Sequence, residues 1–350
     1  MDKKFWKNKK IFLTGHTGFK GSWLSLMLLQ LGSIITGYSL PAKSKSLFQY
    51  AGIKNKINKN YFGNILDYQK LYKAIHLFKP DIIFHLAAQP LVLDSYRNPK
   101  DTFNTNSTGT LNVLEATRFL NYSGAIIIVT TDKVYKNNKN KHFDEKDEIG
   151  VTDPYGSSKV CSEIISETYG KFFLNKKKKF NIAVARSGNV IGGGDFSKDR
   201  IIPDFYKCCF LKKKLIIRNP ASIRPWQHVL EPLHGYLLLA KKIFKFNSNK
   251  NLVWNFGPSR NDCINVRKLV SLLISKSKYK NKIKIKFKKN TNFIETKNLL
   301  LNSNKSINIL KWKKKYNINQ AINCVAEWYE SNKKDKEKIC IKQIKEYIQL

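Results

Sequence analysis

The chain has 350 residues, 42% of them apolar, enough for a sizeable core in one or two domains. Against 25 acidic residues stand 64 Lys and Arg, a formal charge of +39, but the excess is mostly lysine spread along the whole chain, so nucleic acid is not the expected partner: arginine, which reads phosphate and base edges bidentately, is scarce. No apolar run approaches the roughly 18 residues of a membrane span, and six cysteines without a CxxC pair or metal-ligand spacing argue against zinc and fit reduced thiols. The basic segment Met1 to Lys10 leads only into Ile11-Phe12-Leu13, too short for a secretion signal, so a soluble cytosolic protein is expected, with no membrane segment and no metal.

Ile11 to Thr14 reads as a short apolar strand running into Gly15. A helix is expected over Ser22 to Leu31, closed by Gly32, and a second strand over Ser33 to Tyr38. Phe62 to Leu66 is the third strand candidate and Asp67 to Phe78 the next helix. Asp81 to Ala88 and Ala125 to Thr130 are near-continuously apolar, as parallel strands covered on both faces are. A long helix spans Thr102 to Leu120, another Tyr155 to Phe173, and a strand follows at Asn181 to Arg186. The alternation predicts an α/β fold, a doubly wound parallel sheet with helices on both faces. Beyond Ser187 the pattern loosens. Helices are expected from Arg200-Ile201-Ile202-Pro203 to about Leu211, over Val229 to Phe244, over Val266 to Ser277, and from Gln320 through Tyr329 and beyond. Val253 to Phe256 reads as a strand and Lys282 to Lys289 as an exposed amphipathic one. This second part reads as a smaller C-terminal lobe, with a segment near 229–257 returning to the sheet. The lysine runs at 176–179, 212–214 and 311–315 read as solvated loops and helix ends.

Gly15, Gly18 and Gly21 fall between a strand and a helix, where glycines permit a tight turn and close approach to a pyrophosphate, with the helix N-terminus facing the anion. The second strand ends in Ser39 rather than an acid, so the ribose contact is weaker, and Lys43 and Lys45 nearby leave NAD and NADP both open. Tyr155 and Lys159 stand at i and i+4, on one helix face, where an ammonium can lower a phenol from about 10 toward the range of a working base. YxxxK also arises by chance; its place at the start of a helix, downstream of a buried strand ending in Thr130-Thr131-Asp132-Lys133, gives it weight. Asp132 and Lys133 have an equally ordinary reading as a solvated pair. His16, His85 and His228 show no ligand spacing; His85 reads as a core histidine, and Trp226 and Trp254 as packing.

These motifs, with His85-Leu86-Ala87-Ala88 and Asn106-x-x-Gly109-Thr110, resemble the extended short-chain dehydrogenase/reductase family. Six longer strings narrow the resemblance to the CDP-glucose 4,6-dehydratases within it, from about Phe5 to Tyr329. They are Thr14 to Leu24, Gly37 to Leu40, His85 to Pro90, Thr130 to Tyr135, Gly188 to Asp195 and Ile223 to Pro232. The resemblance implies a Rossmann-type NAD-binding domain over residues 1–187 and a mainly substrate-binding lobe over 188–350. It implies NAD contacts at Gly15, Thr17, Gly18, Phe19, Lys20, Gly21, Ser39, Asn64, Ile65, Leu86, Ala87, Ala88, Asn106, Tyr155 and Lys159. It implies contacts to CDP-glucose at Gln89, Asn189, Arg200, Arg224 and His228, with Arg224 the clamp for the substrate pyrophosphate. In the implied reaction Tyr155, assisted by Thr131 and Lys159, takes the proton of the sugar 4-hydroxyl while C4 gives a hydride to NAD. Asp132 then acts as acid for the departing 6-hydroxyl and Lys133, in its neutral form, as base at C5. Sugar epimerases of the superfamily lack such an acid/base pair. Two departures stand out: Asn64 where relatives commonly carry an aspartate facing adenine, and Ser187 where alanine is commoner. A non-catalytic nucleotide- or RNA-binding scaffold is the competing class, and the Thr131/Tyr155/Lys159 set argues against it. A homodimer or tetramer is implied, pairing the helices at Thr102 to Leu120 and Tyr155 to Phe173.

Overall fold

The structure is a computed structural model that describes residues 1–136, 142–150, 153–174, 180–245, 252–279, 283–287 and 300–349. Seven strands form one sheet: β1 (Lys10–Thr14), β2 (Ile34–Ser39), β3 (Lys59–Phe62), β4 (Ile82–His85), β5 (Gly124–Val129), β6 (Phe180–Ser187) and β7 (Val253–Phe256). Their order is β7-β6-β5-β4-β1-β2-β3 and every pair is parallel. The strand order reverses between β1 and β4, and the crevice beyond their carboxyl ends is where this architecture binds ligands. Apolar side chains cover both faces: β4 and β5 are buried throughout, as their unbroken Ile-rich runs require. The larger core packs Trp6, Trp23, Met27, Trp254, Trp312 and Trp328 with the helices of the second half of the chain, and a second one packs Phe12, Ile83, Val113 and Ile126 on the opposite face.

Several boundaries differ from expectation for identifiable reasons. The third strand is Lys59–Phe62, not Phe62 to Leu66; it pairs with Thr36 to Ser39, and Asn64 lies in the loop beyond. β4 stops at His85: the Leu86 amide makes the last ladder bond, to Thr14 O, and the next amide, Ala87 N, donates to the Thr14 hydroxyl instead. The helix Phe19–Gln30 begins at the glycine turn itself and closes on Gly32, at φ 80°, where Gly32 N donates to Leu29 O and Ser33 N to Leu28 O. The long helix expected over Thr102 to Leu120 is three pieces: Pro99–Phe103, a π turn Asn104–Thr108, and Gly109–Arg118. The Asn106 carbonyl there accepts from the hydroxyls of both Thr110 and Ser162. The next long helix, Pro154–Tyr169, likewise ends in a π turn, Gly170–Leu174. Lys314 and Lys315 are half-buried rather than solvated, because Trp312 anchors their loop through Nε1 to Glu231 O. The expected run at 176–179 lies outside the described residues, as do 282 and 288–289; Ile285–Phe287 between them pairs in parallel with Leu215–Ile217. Among the described residues no helix is long and apolar enough to cross a membrane.

A buried ion pair joins the helix Pro154–Tyr169 to β6. Arg186 Nε lies 2.9 and 3.1 Å from the two carboxylate oxygens of Glu163, both side chains being under 5% exposed. Thr130 Oγ1 donates to Glu163 Oε1 at 2.6 Å, and the Arg186 guanidinium lies 4.6 Å from the centre of the Tyr135 ring. Removing one partner leaves the other charge desolvated without compensation. Glu163→Leu is therefore expected to lower the unfolding free energy by about 3–5 kcal/mol, against under about 1 kcal/mol for Lys342→Ala at the exposed Glu327 pair. Urea unfolding of the two variants checks this, and equal losses would refute the distinction.

Candidate active site

The glycine turn is built by backbone contact. Gly15 takes φ 75°, and a Cβ there would meet Ala87 N at 2.7 Å; one at Gly21 would meet Gly15 O at 2.1 Å. The first helix can thus close directly onto β1 and the loop after β4. Gly18 is its N-cap and no side chain caps it, so the helix N-terminus faces the crevice with its amides available to an anion. Beneath the turn the buried His16 ring bonds Asn60 Oδ1 at 3.0 Å, and burial pushes it down to about 4, so it stays neutral. At the end of β2 the Ser39 hydroxyl shares a 2.7 Å bond with Thr17 Oγ1, which also donates to Leu40 O. Lys43 and Lys45 are exposed. Asn64 Oδ1 accepts from Leu66 N at 3.0 Å, while Ile65 is buried against Gly109. The Leu86 and Ala87 amides both donate to Thr14 Oγ1 at 3.2 Å, which shapes the loop through Ala88. His85 is a satisfied core histidine, Nδ1 2.8 Å from Thr14 Oγ1 and Nε2 3.1 Å from Thr110 Oγ1. The open helix terminus, the backbone-lined turn and the lysines beside it fit a dinucleotide.

The reacting groups gather at the carboxyl ends of β5 and β6. Thr131 caps a short 3-10 turn, Asp132–Val134, and its hydroxyl donates to Asp132 Oδ1 at 3.0 Å and also hydrogen-bonds the Tyr155 phenol. Asp132 is 1% exposed, and its Oδ2 has no hydrogen-bond partner among the described residues. Buried carboxylate oxygens are nearly always paired, so this one stands out. Lys133 Nζ lies 3.7 Å from Asp132 Oδ1 with about a quarter of its side chain exposed, so the pair is part of the cleft and not a solvated surface pair. Asp153 caps the helix through Gly156 N at 2.8 Å and Pro154 occupies its first turn, which puts Tyr155 at the crevice.

The Tyr155/Lys159 pair departs from expectation. Lys159 Nζ donates to Val129 O at 3.1 Å, and burial pushes Tyr155 up to about 12, offset in part by the Thr131 hydrogen bond. Burial lowers Lys159 to about 8, and Glu163 one turn along its helix opposes that. Asn106 is enclosed: its amide bridges Gln89 N, Gln89 O and Ser158 Oγ.

Of the substrate candidates, Arg200 pairs with Asp195 Oδ2 at 2.9 Å and acts electrostatically on both Tyr155 and Lys20, so it belongs to the cleft. Arg224, on the short strand Ile223–Pro225, is largely buried and donates to Ile223 O. Asn189 is half-buried and its carbonyl accepts from Gln227 N. Gln89 is turned inward, its side chain bonded to Leu91 and Thr102 Oγ1. His228 is fully buried between the Trp23 and Tyr316 rings, its Nε2 without a hydrogen-bond partner among the described residues, and burial holds it neutral, near 3. Trp226 is a packing residue, donating to Ile264 O. Sequence reasoning missed Tyr236, whose hydroxyl donates to Ser187 Oγ at 2.9 Å, and the Glu163–Arg186 pair behind the site. Glu163 stands four residues after Lys159, a spacing that already placed it on the same helix face.

Comparison with known proteins agrees with this geometry. The family profile described as GDP-mannose 4,6 dehydratase matches residues 12–325. A CDP-glucose 4,6-dehydratase from Salmonella typhimurium is 42% identical over 79% of this chain and 78% of its own length. A dTDP-D-glucose 4,6-dehydratase from Dictyostelium discoideum is 28% identical over 67% of this chain and 56% of its own. Among solved structures, an epimerase from Methanothermobacter thermautotrophicus superposes with a TM-score of 0.80 at 20% identity, covering 96% of both chains. The dTDP-glucose 4,6-dehydratase of Bacillus anthracis, solved in complex with NAD, does so at 0.74 and 23%, covering 95% of this chain and 99% of that one. Profile and sequence together show that this chain belongs to the GDP-mannose 4,6 dehydratase family, within the extended short-chain dehydrogenase/reductases.

Proposed function

We propose that this chain is a nucleotide-sugar 4,6-dehydratase using NAD, which converts CDP-glucose to CDP-4-keto-6-deoxyglucose with loss of one water. One observation carries the reaction type: Asp132, buried with an unpartnered Oδ2, in one cluster with Thr131, Lys133 and Tyr155. An oxidation alone needs only the tyrosine and its lysine; a buried acid beside an amine is what an elimination adds. The 42% identity to the Salmonella typhimurium CDP-glucose enzyme supports the choice of nucleotide.

The glycine turn and Lys159 hold NAD, which when bound supplies a hydride acceptor at C4 and a donor at C6. Tyr155 removes the proton of the sugar O4 as C4 is oxidised, and Thr131 shares that hydrogen bond. The new ketone acidifies the C5 hydrogen. Neutral Lys133 takes it while Asp132 protonates the departing O6; reduction at C6 and reprotonation at C5 complete the cycle. Arg200 and Arg224 supply cations for the substrate pyrophosphate. Residues 1–187 carry the cofactor side of this division and 188–350 mainly the substrate side. The six free thiols are consistent with work in a reducing cytoplasm.

Incubated with CDP-glucose and NAD, the purified protein is expected to form a product lighter by one water, detected by mass spectrometry. No product from CDP-glucose with turnover of GDP-mannose or dTDP-glucose would move the nucleotide assignment. Lys133→Met is expected to cut kcat by on the order of a hundredfold or more while NAD affinity stays unchanged. Full activity in that variant would remove Lys133 from the mechanism.

We further propose a dimer through the helices Gly109–Arg118 and Pro154–Tyr169. Leu111, Phe119, Ile164, Phe172 and Phe173, on or just beyond them, are 37–55% exposed, an apolar set that a partner copy would cover. Light scattering should give twice the chain mass for the wild type and a monomer for Ile164→Lys. A monomeric wild type would refute the assignment.

A further inference from the structure

Three groups beyond the carboxyl end of β5 form one directed chain. Thr131 caps the turn Asp132–Val134, and its hydroxyl gives its single proton to Asp132 Oδ1 at 3.0 Å. In the bond between that hydroxyl and the Tyr155 phenol, Thr131 is therefore the acceptor and Tyr155 the donor. The order runs from the Tyr155 O–H to the Thr131 O–H to the Asp132 carboxylate. Tyr155, Thr131 and Asp132 are 9%, 6% and 1% exposed, so the path is screened from solvent along its length. Asp132 Oδ1 closes the chain, and Oδ2 has no hydrogen-bond partner among the described residues.

We propose that the proton taken from the sugar O4 is relayed along this chain: Tyr155 receives it while passing its own to Thr131, Thr131 passes its own to Asp132, and Asp132 delivers that proton to the departing O6. This rests on the reading of the site as that of a nucleotide-sugar 4,6-dehydratase. The protons balance within one turnover. The O4–H bond breaks as C4 loses its hydride and becomes the ketone. Tyr155 and Thr131 each lose one proton and gain one, and Asp132 becomes the neutral acid. When O6 leaves as water it takes the proton from Asp132, and the carboxylate is restored. The C5 proton is handled apart, on Lys133, and a proton returns to C5 once C6 is reduced. No proton enters from solution and none is released, and the oxidation itself arms the acid that the elimination needs.

The other route is to ionise Tyr155 beforehand. Burial, with the Asp132 and Asp153 charges, pushes the phenol up to about 12 against the Thr131 bond and Arg200, so a free tyrosinate at pH 7 is about one molecule in a hundred thousand. Passing a proton on as another arrives avoids that buried anion. The further charged and titratable groups facing the chain are Lys133, 3.7 Å from Asp132 Oδ1, Lys20 on the helix Phe19–Gln30, Lys159 one turn beyond Tyr155, and Tyr236 on the helix Leu230–Lys245. All of these persist when the relay is cut at Thr131 or Asp132, so a change in pH dependence on cutting reports the relay.

The test follows the oxidation step on the NAD-loaded full chain mixed with CDP-glucose, from pH 6 to 9. Stopped-flow absorbance reads the reduced nicotinamide, and an indicator dye in weak buffer reads protons released with it. The wild type is expected to release none. In Thr131→Val and Asp132→Asn, Tyr155 has to lose its proton to solution. Their oxidation rates should rise with pH more steeply than the wild type's, by about tenfold per unit, with one proton released per nicotinamide reduced. Thr131→Ser keeps a hydroxyl and should restore the wild-type profile. Asp132→Asn decides the matter. If Asp132 serves only as the acid for O6, this variant oxidises O4 with the wild-type rate and pH profile and releases no proton, which overturns the proposal. An unchanged slope in Thr131→Val overturns it too; should that variant fail to fold, Asp132→Asn alone decides. The two readings fail separately. A product lighter by one water with unchanged profiles in the variants removes only the relay. A wild type that reduces its nicotinamide with no nucleotide sugar removes the dehydratase reading and the relay with it.

Discussion

The site depends on the pairing of Glu163 with Arg186. Each partner is attached to a different part of the reacting set. Glu163 lies on the helix that carries Tyr155 and Lys159 and accepts the hydroxyl of Thr130, the residue leading into Thr131-Asp132-Lys133. Arg186 immediately precedes Ser187, on which Lys20 and Tyr236 converge. One bidentate contact therefore fixes the distance between β5, β6 and the helix across the crevice. Two charges removed from water repay their desolvation only in good geometry, so the pair is intolerant of displacement in a way an apolar contact is not. The Tyr135 ring under the guanidinium extends the constraint, since its hydroxyl donates to Asn255 on β7. Asn255 in turn donates to Phe143 O and Asn302 O, tying in chain from three distant stretches.

The opposite wall is set by exclusion of side chains. Gly15, Gly21 and the amides of Leu86 and Ala87 come together closely enough that a methyl group at either glycine would collide with backbone. The anion site is consequently made of peptide groups and a helix terminus, while the chemistry is made of side chains that the ion pair holds. Lys20, in the first turn of the helix that follows the glycines, bonds Ser187 Oγ at the end of β6 and so links the two walls.

Much of this was legible in the sequence because parallel strands buried on both faces announce themselves: Ile82 to His85 and Gly124 to Val129 hardly contain a polar side chain. The glycine turn and the Tyr155/Lys159 spacing are local patterns, and local patterns survive without the fold. What escaped depends on distant neighbours. Lys159 shares a helix face with Tyr155, but the carbonyl of Val129, thirty positions away, claims its ammonium. The burial of His228 was not legible, because nothing nearby in sequence shows that Trp23 and Tyr316 pack against it. The π turn at Asn104–Thr108 answers to Ser162 on another helix, so no helical periodicity within its own segment marks it. Phe62 to Leu66 has an apolar rhythm, but pairing with β2 ends at Phe62.

The large positive charge of the chain takes on a different meaning at the site. A lysine on the surface, such as Lys212 to Lys214, is a hydrated point charge, and composition can multiply such residues at little cost to the fold. The same side chain between packed walls loses its hydration and becomes titratable near neutrality, as Lys20 at about 7 and Lys159 at about 8 do. Lys133 is partly exposed and lies 3.7 Å from a buried carboxylate. Desolvation therefore separates the few lysines buried at the site from the many that only keep the chain basic. Asp132 is the counterweight: it raises Lys20 toward its charged form while its second oxygen waits for a hydrogen-bond donor.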